Sequence, residues 1–167
     1  MAPSEGAWEG PAMIDHAEKG NIEKIVFFLD HVKGNINIKG MWNQTMLHAA
    51  CTTGNLELVT LLLSRNPSLE AKTEKHATAL HVASGKGHIQ VMLILIQHGA
   101  IINSQTKKGA TPLAWAASNG HIAAVALLMD RGGLHTIIAN KETGDSILHN
   151  ACARNNFEVC LFYHPLL

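Results

Sequence analysis

The chain repeats itself at an interval of about 33 residues, and no other property restricts its fold as much. Leu47, Leu80, Leu113 and Leu148 head successive copies, at spacings of 80−47 = 33, 113−80 = 33 and 148−113 = 35. Seven residues after each stands Gly54, Gly87, Gly120 and then Asn155. One copy earlier, at 47−13 = 34, Met13 leads by the same seven to Gly20. Asn is the best non-Gly residue at a left-handed position, so the last copy keeps the geometry. A unit this short cannot bury its apolar face alone, so the copies must stack.

The fourth copy, from Gly109 to His121, is the cleanest. Thr111 is a good N-cap and Pro112 suits the first helical position. Leu113, Ala116 and Ala117 share one helix face, and Gly120 ends the helix in a left-handed cap. A second apolar helix then begins at Ile122. The same signals predict helix pairs at about 46–53 and 56–64, 79–86 and 89–98, 112–119 and 122–130, and 147–154 and 157–163.

Thr45-Met46-Leu47-His48, Thr78-Ala79-Leu80-His81, Thr111-Pro112-Leu113-Ala114 and Ser146-Ile147-Leu148-His149 each resemble the Thr-Pro-Leu-His start of an ankyrin repeat. Gly87-His88-Ile89 and Gly120-His121-Ile122 resemble that family's second-helix start, and His98-Gly99-Ala100 opens a similar closing turn. The resemblance covers residues 12 to about 163. It implies an all-α solenoid of stacked helix-turn-helix units joined by hairpin-like turns.

Residues 1–11 hold Pro3, Gly6, Gly10 and Pro11 and read as a flexible lead-in. Trp8 within it either is extraneous to the domain or folds onto the first repeat. The repeats run over about 12–39, 40–72, 73–105, 106–140 and 141–167. Asp15, His16, Glu18 and Lys19 make the first helix polar, as a terminal repeat facing water requires. Ile22, Ile25, Val26 and Leu29, with Phe27 and Phe28, supply its partner helix. The closing turn after Arg131 carries two extra residues, which places a loop on one face. The last helix must stop before Pro165. Phe162, Tyr163, Leu166 and Leu167 then have no following repeat over them. That is expected of one piece of a longer array, or of a tail folding back as a cap.

Hydrophobic residues make up 47% and charged residues 16%, a balance for packing rather than disorder. The formal net charge is zero, so no nucleic-acid partner is expected. The apolar run Val91–Ile96 is far short of a membrane span. The first residues lack the regions of a signal peptide. Cys51 and Cys152 share a repeat position with Ser84 and Ala117, and read as small core residues. With no export signal, these thiols point to a cytoplasmic, alternatively nuclear, protein.

Eleven histidines invite a metal or acid–base reading. The register argues against it. His48, His81 and His149 are copies of one position, and His88 and His121 of another. Copies on successive repeats lie about 10 Å apart, whereas zinc ligands converge within about 2 Å of a point. The resemblance gives these residues hydrogen bonds to turn backbone and to the Thr hydroxyl. There is no phosphate-binding Gly loop, no His-Glu-x-x-His and no nucleophile elbow. No catalysis, cofactor or metal is expected.

Residues that build the stack must agree between copies, so the positions that differ mark the free surface. These include Met41, Trp42 and Gln44, Glu74 and Lys75, Lys107 and Lys108, and Glu142 and Asp145 at the turn tips. On the first helices they include Thr52 and Thr53, Lys86, Asn119 and Arg154, with Trp115 beside Leu113. The resemblance implies that this concave surface holds a partner protein. The expected function is therefore a non-catalytic protein–protein interaction module, with Trp42 and Trp115 as its strongest contacts. The alternative is a regulatory or targeting segment of a larger protein whose other domains carry enzyme or channel activity. The uncovered fifth repeat also offers a surface for self-association. Asn37 and Asn103, each eight residues after a helix leucine (37−29 and 103−95), occupy positions that the resemblance associates with asparaginyl hydroxylation. The acidic residue usual two places earlier is replaced by Asn35 and Ile101.

Overall fold

The computed structural model describes residues 9–132 and 146–163. Trp8, the extra length of the fourth closing turn, Glu142, Asp145, Leu166 and Leu167 lie outside the described residues. So do the side chains of Leu148, Phe162 and Tyr163.

Among the described residues the chain forms five pairs of short α-helices. They are α1 (Gly10–Glu18) with α2 (Ile22–Asp30), α3 (Met46–Thr53) with α4 (Leu56–Leu63), α5 (Ala79–Lys86) with α6 (Ile89–Gln97), α7 (Pro112–Ser118) with α8 (Ile122–Asp130), and α9 (Ile147–Ala153) with α10 (Phe157–Tyr163). The starts follow the sequence signals. Thr45, Thr78, Thr111 and Ser146 are extended N-caps, and Gly54 and Gly87 close α3 and α5 in the left-handed region. α1 begins at Gly10, so Gly10 and Pro11 belong to the first helix. Pro11 sits in its first turn, and a Cβ on Gly10 would lie 1.9 Å from the Lys39 carbonyl oxygen.

The first helices of the pairs pack in a row, α1 on α3, α5, α7 and α9, and α4, α6, α8 and α10 form a second row behind it. Small residues let the first row approach closely: Ala49, Ala50, Cys51, Ala83, Ala116 and Ala117 are buried. The second row brings bulk. Leu58, Leu62, Val91, Leu95, Val125 and Leu128 fill the space between the rows. In the first repeat Ile25 and Phe28 take this part, while Phe27 faces outward and stacks on His31. Cys152 departs from the core role of its register position. It is exposed, whereas Cys51 is buried and burial raises its thiol pKa.

Successive repeats are bolted together by imidazoles. In α3, Nδ1 of His48 accepts the Thr45 backbone N–H at 3.3 Å, completing a capping box. An accepting Nδ1 leaves the proton on Nε2, which donates to the Ala77 carbonyl of the next repeat at 3.1 Å. His81 repeats the arrangement with Thr78 (3.2 Å) and the Ala110 carbonyl (3.0 Å). The second register position points backward. His88 Nε2 donates to the Thr52 carbonyl, His121 Nε2 to that of Gly85, and Asn156 Nδ2 to that of Ser118, at 3.2, 3.1 and 2.8 Å. These rings lie over the helix-ending glycines. A Cβ on Gly54 would come within 2.6 Å of His88, and one on Gly87 within 2.7 Å of His121. Glycine is thus required there for space as well as for its positive φ.

Leu80 is fully buried at the centre of the stack, so Leu80→Ala is expected to cost about 2–5 kcal/mol. Ser84, one turn further along α5, buries a hydroxyl with no hydrogen-bond partner among the described residues. Ser84→Ala is expected to stabilise the fold by about 1 kcal/mol, since it removes an uncompensated polar group and improves helix propensity. Guanidinium midpoints of the two variants should move in opposite directions. A lower midpoint for Ser84→Ala would mean that the hydroxyl is satisfied.

Burial holds the His81 pKa down at about 4, from an ordinary 6.5, against the opposing pull of the Ala110 carbonyl and Glu70. Burial lowers His48 in the same direction. The unfolded chain therefore takes up these protons more readily than the folded one. Stability is full above pH 6.5 and is lost as pH falls from 6.5 towards 4, by about 3 kcal/mol for His81 from (6.5−4) × 1.36. Denaturation midpoints between pH 8 and pH 4 should follow that decline, and His81→Gln should flatten it while lowering stability at neutral pH.

Candidate functional site: the concave groove

The three junctions between repeats within the described residues each carry a five-residue tip. Gly40, Thr73 and Thr106 donate their backbone N–H to the carbonyls of Gln44, Ala77 and Ala110, at 2.8, 3.0 and 3.0 Å. The Thr73 and Thr106 hydroxyls accept the Ala77 and Ala110 N–H groups at 3.1 Å each. The tips are also tied side by side. Glu74 N–H donates to the Trp42 carbonyl at 2.8 Å and Lys107 N–H to the Lys75 carbonyl at 3.1 Å.

Asn43, His76 and Gly109 hold one register position and all have positive φ. The first tip differs from the others in adding a second left-handed residue, Trp42, at φ 59° and ψ 23° within the 3-10 turn Met41–Asn43. A bulky residue there is strained, at a cost of roughly 1–3 kcal/mol. That backbone presents the indole to solvent, and Trp42 is 65% exposed.

Trp42 and Trp115 line one groove of about 400 Å³, together with Gln44, Thr52, Thr73, Glu74, Lys75, Ala77 and Val82. Trp115 reaches it from α7, leaning over α5 where Gly85 leaves room. A Cβ on Gly85 would lie 3.0 Å from the indole. The ring stands edge-on to His81 at 5.6 Å. The same His81 that bolts two repeats together therefore also supports the groove wall. On the other side of Trp42, Met41 and Gln44 border a second depression with Ile14, Asp15 and Glu18.

Of the residues expected at the surface, the groove gathers Trp42, Gln44, Thr52, Glu74, Lys75 and Trp115. Met41 is exposed beside it. Lys86, Lys107, Lys108 and Arg154 are exposed outside its lining. Thr53 is turned back onto the Ala50 carbonyl, and the Asn119 amide donates to the Trp115 carbonyl at 2.8 Å. Val82 and Thr73 join the lining without having been singled out. Thr73 had a readable signal, since Thr106 stands 33 residues later in the same bond (106−73).

Asn37 and Asn103 are engaged between closing turns. Asn37 Oδ1 accepts the Ser68 N–H at 2.7 Å, and Asn103 Nδ2 donates to the Gly132 carbonyl at 3.1 Å. Glu70, at the same register position, accepts the Ile101 N–H at 2.9 Å and the Ser104 hydroxyl at 2.6 Å.

With this geometry in view, a comparison with protein families is decisive. The family model for ankyrin repeats (3 copies) matches residues 13–106 and again residues 100–162. The chain is an ankyrin-repeat protein. No individual curated protein matches it. Ankyrin repeats serve in general as protein–protein interaction modules and are in general not catalytic. Among the described residues, no helix of this ankyrin array is long and apolar enough to cross a membrane.

The strain at Trp42 can be measured apart from its ring. Trp42→Ala and Trp42→Gly both delete the indole, but only glycine relieves the left-handed backbone. The Gly variant is expected to be more stable than the Ala variant by about 1 kcal/mol. The reverse order in chemical denaturation would show that residue 42 leaves this conformation.

Proposed function

We propose that this ankyrin array holds a partner protein on its concave face and tips, with Trp42 and Trp115 as the main anchors. One observation carries the reading: two tryptophans from different repeats, 115−42 = 73 residues apart, line a single groove. One of them stays largely in water at the expense of a strained backbone. Large rigid aromatics dominate the energy of such surfaces, and the bonded tips need little ordering on binding. Lys86, Lys107, Lys108, Asn119 and Arg154 form the outlying rim, where charges act mainly on association rate.

Partners captured from a cell extract and then purified supply the assay. Trp42→Ala is expected to weaken binding by about 2 kcal/mol or more. Thr60→Ala, on the exposed side of α4, should leave it unchanged. Calorimetric affinities beside denaturation midpoints decide the matter. Loss of binding in Thr60→Ala alone would move the site to the outer row.

A further inference from the structure

Resting on that reading of the groove, we propose that its occupant is an acidic linear segment of the partner protein. One large apolar side chain seats between Trp42 and Trp115, and the carboxylates lie towards repeats three and four. The charge distribution points there. Lys75, Lys86 and Lys107 are exposed on that side and form no ion pair among the described residues. Among the described residues of these two tips and of α5, Glu74 is the one carboxylate against Lys75, Lys86, Lys107 and Lys108, leaving 4−1 = 3 positive charges beside the groove. Across Trp42 the sign reverses: Asp15 and Glu18 border the neighbouring depression, and after the pairing of Asp15 with Lys19 one negative charge remains there, from 2−1 = 1. Carboxylates are therefore drawn to one side of the indole and repelled from the other, which gives the segment a direction.

The tips set the mode of recognition. The Trp42 and Lys75 carbonyls already accept the Glu74 and Lys107 N–H groups of the next tips. Their backbone is thus engaged along the row, and a ligand is read by side chains instead of by strand addition. Neighbouring repeats stack about 10 Å apart, and an extended chain rises about 3.3 Å per residue. Acidic residues three apart therefore meet successive lysine-bearing tips, with the apolar anchor one step before the first.

The test is selection from a phage-displayed library of random peptides of about twelve residues, long enough when extended to span about 40 Å. The full chain is the bait. Selected peptides are synthesised and their affinities measured for wild type, Trp42→Ala and the double variant Lys75→Glu/Lys107→Glu. The folding midpoint of each is recorded, and Lys75→Gln/Lys107→Gln replaces the reversed pair if that pair fails to fold. The expected binders carry Asp or Glu within three residues of a Leu, Phe or Trp. They should lose tenfold or more in each variant and weaken as salt rises. Binders that need Trp42 but are neutral or basic overturn the acidic segment and leave the groove as the site. Binders indifferent to Trp42→Ala overturn both. A library that yields no enriched binder overturns a linear segment as the occupant.

Discussion

The buried imidazole between repeats is the interaction on which the rest depends. His48 and His81 each join three elements: the cap of their own helix, the tip ahead of it, and the core around them. Lone buried imidazoles would be costly. Here each ring nitrogen has a partner, so desolvation is offset and the tautomer is set. The bond also fixes where the next tip sits relative to the preceding helix row. The groove is a product of that placement, since Ala77 both accepts the His48 proton and lines the groove. Among the described residues these forward bonds are confined to repeats two and three. Repeat one has Ile14 and repeat four Ala114 at this position, and neither can reach forward with a proton.

Much of the architecture was legible because it depends on local signals that recur. Thr or Ser at the cap and glycine or asparagine at the stop each act within one turn of helix. Periodicity then repeats their message four or five times, and helix bounds follow to within a residue or two. The interlocking histidines were readable as structural for the same reason. The start of α1 was not, since Pro11 suits either a loop or a first helical turn, and the choice is made by Gly10 packing on Lys39.

The site was legible only in part. Variation between copies marks free positions but does not say which of them converge. That Trp42 and Trp115 share a groove depends on a left-handed backbone at one and on space above Gly85 for the other. Neither follows from spacing, because both are departures from the repeat. Cys152 teaches the converse. Its register position is a core position only when a neighbour packs against it, so period alone could not place it.

The bonds linking one tip to the next have a mechanical consequence. Trp42 to Glu74 and Lys75 to Lys107 make the tips a transverse ladder, whereas the helix rows behind them touch mainly through apolar side chains. Hydrogen bonds resist stretching along their own direction, while apolar contacts permit small sliding. The array should thus be stiff along the line of tips and more compliant in its curvature. A ligand can change how tightly the concave wall closes without altering the pitch at which it is read.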